Sequence, residues 1–231
     1  MRSMPATADP SRPLVIAIDG PAASGKSSTA KRVAAALGIR HVDSGALYRA
    51  ATAAMLRLVP DETTWTEAAV LAAAQAVTLE PVDGTFRPLL DGAAAEAELR
   101  GVAVTSRVSV AARMPGVRAW ANAMIRSAAA AHPVVVDGRD MGSVVFPEAA
   151  VKVFLVADPQ ERARRRLLER HGREPSPAEV AAEVAELVRR DVADAAQTIE
   201  APGAVRIDTT GLTPEGQVER IVALARGVDR S

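Results

Sequence analysis

The sequence predicts an α/β fold, a parallel sheet with helices on both faces. Short apolar, β-branched runs at Leu14 to Ile18, Val134 to Val136, Val151 to Val156 and Val205 to Ile207 read as buried strands, because they are continuous rather than alternating. Helical stretches separate these runs, and strands joined through helices pair in parallel. The 231 residues suffice for one α/β domain with a sizeable core and a small insertion, without a second independent fold.

The elements follow in order. Leu14 to Ile18 ends in Asp19-Gly20, and a Gly- and Ser-containing turn leads into an Ala-rich helix, Ser27 to Leu37. Gly38 stands where a helix stop belongs, and Ile39 to Val42 is a second short strand. Helices are expected from Ala46 to Leu58, ended by Pro60, and from Thr66 to Ala76. Between Val77 and Leu99 the pattern changes, with Asp83-Gly84 and Asp91-Gly92 punctuating short apolar stretches as in small hairpins. That segment reads as an insertion on the scaffold.

Helical periodicity returns from Val102 to Ala130, broken in two by Pro115-Gly116, and the strand at Val134 runs into Asp137-Gly138-Arg139-Asp140. Asp158 is an N-cap candidate, with Pro159 at the first helical position and Glu161 placed to close a capping box. The arginine-rich helix so opened runs to about Arg170. His171 to Pro177 is a polar break, Ala178 to Asp194 is helical again, and Thr213-Pro214-Glu215 opens a terminal helix after the last strand.

Composition narrows the function classes. Lys+Arg and Asp+Glu number 28 each, so overall charge offers no polyanion-binding surface for nucleic acid. The absence of cysteine excludes disulfides, thiolate metal sites and cysteine nucleophiles. His41, His132 and His171 do not fall at ligand spacings. No signal-peptide core and no run of about 18 apolar residues is seen, so a cytoplasmic location without membrane contact is expected. Residues 1–13 read as a flexible tail and 14–231 as one domain.

The strongest chemical signal is Gly20-Pro21-Ala22-Ala23-Ser24-Gly25-Lys26-Ser27, followed by Ser28. It fits G-x-x-x-x-G-K-[ST] between a buried strand and a helix, the context that separates a phosphate-binding loop (P-loop) from a chance Gly/Ser turn. Backbone N–H groups turn inward, the helix N-terminus favours anions, Lys26 spans the β- and γ-phosphates of ATP, and the Ser27 hydroxyl is suited to Mg²⁺. A P-loop alone does not choose among GTPases, ATPases and small-molecule kinases.

Further segments choose. IDGPAASGKSS at 18–28, DSGALYR at 43–49, SVAARMPGVR at 109–118, DGRDMGSVVFP at 137–147 with KVFLVADPQERARRR after it, and RDVAD at 190–194 together resemble the bacterial cytidylate kinase family, over nearly everything from Val15 to the final helix. The residues are chemically apt. Ser44 and Arg49 follow a strand end, and Arg49 offers a guanidinium fork to a phosphate, unless it is only a solvated helix arginine. Arg139 and Asp140 end another strand, where a carboxylate accepts from the exocyclic amino group of cytosine and repels the carbonyl of uracil. A plain Arg–Asp salt bridge is the alternative there. Arg162, Arg165, Arg166 and Arg170 share one helix face and Arg164 does not, which suits either a lid over ATP phosphates or a solvated basic face.

The resemblance implies a P-loop NTPase-type sheet with a CMP-binding insertion at about 62–130 and a helical lid at about 158–194. It implies transfer of the γ-phosphate of MgATP to CMP or dCMP by a monomer. Gly20 to Ser28 would bind ATP, with Ser27 and Asp137, the latter through water, at Mg²⁺. Ser109, Arg118 and Asp140 would attend the base, Ser44, Arg49 and Arg139 the sugar-phosphate, and Arg190 and Asp194 the ribose. Lys26, Arg49, Arg139, Arg162 and Arg166 would carry catalysis, and the loop Asp208 to Gly211 would lie beside adenine. Two departures stand out. The insertion has Gly92-Ala-Ala-Ala-Glu96 where the family has an acidic segment, and Gln197 replaces the last arginine of R-D-x-x-D-x-x-R, so that Arg189 is a candidate substitute. A kinase for UMP, AMP or dephospho-coenzyme A, or a non-catalytic nucleotide-binding regulator, are the competing readings.

Overall fold

The computed structural model describes residues 13–228, so all of the expected tail except Pro13 lies outside the described residues. In chain order the elements are β1 (Val15–Asp19), α1 (Lys26–Leu37), β2 (Arg40–Asp43), α2 (Ser44–Leu58), α3 (Glu67–Ala74), β3 (Val77–Val82), β4 (Thr85–Leu90) and β5 (Ala93–Ala94). There follow α4 (Glu96–Leu99), α5 (Val102–Ala112), α6 (Pro115–Ala131), β6 (Val134–Gly138), β7 (Val151–Val156), α7 (Pro159–His171), α8 (Pro177–Asp194), β8 (Val205–Asp208) and α9 (Pro214–Val228). Contacts divide the chain into two compact units, one running to Ile39 and resuming at Val134, the other Arg40–Pro133.

In the first unit the strands pair in parallel in the order β6-β1-β7-β8. Ile16, Ile18, Val135, Val151, Val153, Leu155 and Ile207 of these strands join Ala30 and Val33 of α1 and Ile221, Val222 and Ala225 of α9 in one buried cluster. This is the expected parallel arrangement, with continuous apolar strands because they are buried.

In the second unit β2 pairs in parallel with β4, and β4 is antiparallel to β3 and β5. Both Asp-Gly signals make turns: Asp83 and Gly84 have φ of 42° and 75°, and Asp91 and Gly92 have 53° and 76°. Left-handed backbone at both central positions matches the twist of a hairpin.

The expected division at Pro115-Gly116 is present, with α5 ending at Ala112 and Pro115 opening α6, since a proline at the first helical position sacrifices no hydrogen bond. Two other local expectations are corrected. Asp158 caps α7, accepting from the Gln160 and Glu161 N–H groups at 2.8 and 3.4 Å, but Glu161 does not complete a box because Arg164 and Arg165 engage its carboxylate. The full capping box lies on α8, where Ser176 accepts from the Glu179 N–H at 3.3 Å and Glu179 accepts from the Ser176 N–H at 2.8 Å. A π-helical turn, Met141–Val145, also follows β6 where no helix was expected. Among the described residues no helix is long and apolar enough to cross a membrane.

Gly20 shows how tightly the first unit closes around the loop between β1 and α1. Its φ is +149°, and a Cβ there would lie 2.2 Å from the carbonyl oxygen of Leu155 in β7. That contact is backbone, so neither side yields cheaply. Gly20→Ala is expected to lower the unfolding free energy by at least about 2 kcal/mol, as overpacking into unyielding structure does, measured by urea denaturation. Wild-type stability would show that β7 shifts aside without cost.

Candidate active site

The loop between β1 and α1 turns its backbone inward through three positive φ values, 149° at Gly20, 57° at Ala23 and 88° at Gly25. Gly25 caps α1 without a side chain, and no acidic residue occupies the first turn, which leaves the helix-end N–H groups to an anion. Lys26 Nζ donates to the Pro21 carbonyl at 2.6 Å. Ser27 Oγ donates to Asp137 Oδ2 at 2.5 Å, joining the start of α1 to β6. Ser24 is fully buried, and its hydroxyl has no hydrogen-bond partner among the described residues.

Charge is concentrated behind this loop. Burial pushes the Lys26 amine down to about 7, Arg139 and Arg190 push it the same way, and Asp137 and Asp19 oppose them. Arg139 pairs with Asp194 at 2.6 Å, and Arg190 lies 3.6 Å from the same carboxylate. Asp140 is buried at the N-terminal edge of the π-helical turn. Arg139, Asp140, Arg190 and Asp194 therefore all belong to the first unit.

The arginine helix is anchored rather than solvated. Arg162 is buried, donating to the Ala22 carbonyl at 2.9 Å and pairing with Asp191 of α8 at 2.7 Å. Arg166 and Arg170 share Glu183 of α8, at 3.1 and 3.3 Å. Arg165 leaves the shared face expected for it and reaches the Thr209 carbonyl at 2.6 Å. Arg164 turns to Glu161 and Glu174, away from the others as its spacing predicts.

An open cavity of about 310 Å³ adjoins the loop, with Gly25, Ser28 and Thr29 on one side, Arg164 and Arg165 on another, and Leu212, Pro214 and Gln217 on a third. Gln217 Oε1 accepts from the Thr29 hydroxyl at 2.8 Å, and its Nε2 donates to the Leu212 carbonyl at 3.3 Å. Leu212, Pro214 and Gln217 follow directly on the loop Asp208–Gly211, and the contact of Gln217 with Thr29 is one that a lone Gln in an amphipathic helix does not announce in the sequence.

The other residues that the sequence assigns to an acceptor sit in the second unit. Ser44 is buried at the start of α2, next to Asp43, which caps that helix by accepting from the Ala46 N–H at 3.2 Å. Arg49 Nη1 donates to the Leu99 carbonyl at 3.1 Å and the Thr105 hydroxyl at 2.8 Å. Arg118 of α6 lies over the Tyr48 ring of α2, 5.8 Å from its centroid, and Ser109 is half-buried on α5.

Comparison with known proteins points one way. The sequence model of the family described as cytidylate kinase matches residues 16–227. Cytidylate kinase of Symbiobacterium thermophilum is 43% identical over 223 residues, covering 94% of this chain and 98% of that protein. That of Thermus thermophilus is 42% identical over 215 residues, with 92% and 98% covered, and that of Streptomyces griseus is 41% identical over 221, with 93% and 93% covered. A solved shikimate kinase from Bacteroides thetaiotaomicron is similar at a TM-score of 0.46 and 15% identity, covering 94% of this chain and 99% of that one, a likeness too distant to add to the reading.

The position of Lys26 has a thermodynamic consequence. Its folded pKa of about 7 lies below the ordinary 10.5, so the folded chain binds fewer protons than the unfolded one between those values. The penalty for burying the ammonium is complete below pH 7 and fades as pH rises toward 10. Lys26→Met is expected to be more stable than the parent at pH 6, with the advantage shrinking steadily above pH 7, as read from denaturant midpoints across pH. An advantage independent of pH would mean that the amine is not charged and buried.

Proposed function

We propose, on the premise that the chain belongs to the cytidylate kinase family, that its phosphate-binding loop holds the triphosphate of ATP while Arg139, Asp140, Arg190 and Asp194 attend the acceptor nucleotide. The activity is that of an ATP-dependent phosphotransferase acting on cytidylate. Ser44, Arg49, Ser109 and Arg118 complete the acceptor set in this proposal, which extends to dCMP and to a cytoplasmic monomer. The observation that carries it is the loop itself, turned inward by positive φ at Gly20, Ala23 and Gly25, with a buried Lys26 that Arg139 and Arg190 crowd in addition to the larger effect of burial. A gathering of cations at such a loop is compensated by the phosphates of bound nucleotides.

The chemistry then asks little of acid–base groups. The nucleophile is a phosphate oxygen of CMP, already anionic, which bonds to the γ-phosphorus as the bond to the β-bridging oxygen of ATP breaks. Catalysis is positioning in line together with neutralisation of charge on the transferring group. Lys26, Arg139, Arg166 and Arg49 supply positive charge in this proposal, and Arg162 supplies it indirectly by holding the Ala22 carbonyl. α7 and α8 serve as the lid that excludes water, a competing acceptor.

The oxygen donors at Ser27 and Asp137 fit Mg²⁺, which favours a few hard protein oxygens beside phosphates and waters. Bound there, the ion would neutralise charge on the β- and γ-phosphates.

Asp140→Asn tests the acceptor assignment. An amide donates to a pyrimidine carbonyl where a carboxylate only accepts, so the ratio of kcat/KM for CMP to that for UMP is expected to fall about tenfold or more, following the worth of one good base contact. ADP release measured across a panel of nucleoside monophosphates gives that ratio. An unchanged value would place base reading elsewhere.

Gln197 raises a separate question. α8 ends at Asp194, and the Gln197 N–H turns back to the Asp194 carbonyl at 3.0 Å. Arg189 is 74% exposed and pairs with Glu186 on its own helix, which disfavours it as the substitute cation. Gln197→Arg is expected to raise kcat/KM for CMP by about 2- to 30-fold, the difference between a charged and a neutral hydrogen bond to phosphate, leaving KM for ATP unchanged. Arg189→Ala is expected to stay within about twofold of the parent, as an exposed ion pair does. No gain from the first and severe loss from the second, in steady-state kinetics, would assign the charge to Arg189 instead.

A further inference from the structure

We propose that Asp19 is a positioning residue of the acceptor site, its buried carboxylate holding the two backbone amides that follow Arg139-Asp140 and thereby fixing where those side chains stand. Its value to catalysis rests on the assignment of Arg139 and Asp140 to the acceptor. Asp19 itself belongs to the IDG segment before the phosphate-binding loop, and no step of the chemistry above uses it.

The carboxylate is fully committed to one task. Asp19 is 2% exposed, with Oδ1 accepting from the Met141 N–H and Oδ2 from the Gly142 N–H, each at 2.8 Å. Those amides open the π-helical turn Met141–Val145. The turn is closely packed there, since a Cβ at Gly142 would stand 3.2 Å from both Ala201 and the Lys152 stem.

The neighbouring backbone groups are tied as well. The Asp140 carbonyl accepts from the Val144 and Val145 N–H groups at 2.9 and 3.2 Å, and the Arg139 carbonyl accepts from the Ile199 N–H at 3.1 Å. Both carbonyls and the two amides that follow are thus held; the Ser143 hydroxyl adds a longer contact of 3.4 Å to the Asp140 carbonyl, and Asp19 is the side chain that holds both amides. Arg139 is thereby presented to Asp194, and Asp140 is kept in its buried place.

A carboxylate is an expensive means of holding two amides. Among the described residues Asp19 forms no ion pair, so two N–H groups, with a smaller contribution from the Lys26 charge, compensate a buried carboxylate. Burial, with the Asp140 charge added, pushes its pKa up to about 6 against the pull of those amides. A fold staple needs only one acceptor. Two adjacent amides held from one side chain need both oxygens of a carboxylate, since an Asn offers a single acceptor and would turn its NH₂ toward the second N–H. What the carboxylate adds is the orientation of the turn, which sets the two side chains preceding it.

The test is Asp19→Asn in the full chain, followed by steady-state kinetics with CMP and UMP at saturating ATP, and with ATP at saturating CMP. KM for CMP is expected to rise about fivefold or more and the CMP/UMP preference to fall, in line with loss of one charged hydrogen bond, while KM for ATP changes less than about twofold. Asp140→Asn and the double variant are measured in parallel. If Asp19 acts through Asp140, the CMP/UMP ratio of the double variant equals that of Asp140→Asn alone. Multiplying effects, unaltered CMP kinetics, or a rise in KM for ATP matching that for CMP would each overturn the proposal. If Asp140→Asn changes the ratio and Asp19→Asn does not, the acceptor assignment survives and the positioning role is lost. If neither changes it, the acceptor assignment itself fails. Should Asp19→Asn not fold, Asp19→Ser, which keeps one acceptor and removes the charge, carries the same comparisons.

Discussion

β1 pairs in parallel with β6 and β7 in a register that sets Asp19 opposite both Gly138 and Phe154. Parallel strands end at the same edge, so Gly20 and Arg139, which follow β1 and β6, emerge together beside Leu155 near the end of β7. From this one alignment come the close approach of Gly20 to the Leu155 carbonyl, the reach of Asp19 to the amides of Met141 and Gly142, and the meeting of Ser27 with Asp137. A slip of one residue would reverse the faces of β1 and send Asp19 to the opposite side of the sheet.

Around this edge the cations are kept apart by carboxylates from a single helix. Asp194, Asp191 and Glu183 of α8 meet Arg139, Arg162 and the Arg166–Arg170 pair respectively. An isolated buried guanidinium costs several kcal/mol, and an aligned partner recovers most of that without great net gain. Such pairs are therefore better understood as setting orientation than as stabilising the fold. Arg162 illustrates it, held by Asp191 and using another nitrogen to hold the Ala22 carbonyl of the phosphate-binding loop.

How far the sequence foretold this depends on the range of the interaction. Strand runs, both Asp-Gly turns and the cap at Asp158 were legible because each is decided within a few residues. The capping box was assigned to Glu161 and occurs at Glu179, because a box needs the carboxylate to be unclaimed, and Arg164 and Arg165 claim Glu161. The helical face of Arg162, Arg166 and Arg170 was visible from spacing, whereas their partners on α8 were not, and Arg165 was drawn off by the loop after β8. Gln217 and the turn at Met141–Val145 left no periodic trace. Both are defined by contacts across long stretches of chain, the first with Thr29 and the second with Asp19.

Two ionisable groups at the sheet edge are held against their ordinary preference in opposite senses. Asp19 is pushed up to about 6 and Lys26 down to about 7, and in both burial is the largest cause. Near neutral pH a charged Asp19 and a charged Lys26 each make the ligand-free fold less stable than neutral groups would. For Lys26 a triphosphate bound as proposed would reverse the sign, because negative oxygens favour the ammonium and offset the repulsion from Arg139 and Arg190. Part of the binding energy then appears as stabilisation of the fold, as for any ligand that binds only the native state. For Asp19 the phosphates of a nucleotide would add further negative charge, and Lys26 is the one cation that favours its charged form among the causes of its shift. Its compensation must be permanent and structural, which is what two backbone amides, fixed by the turn that begins with them, provide.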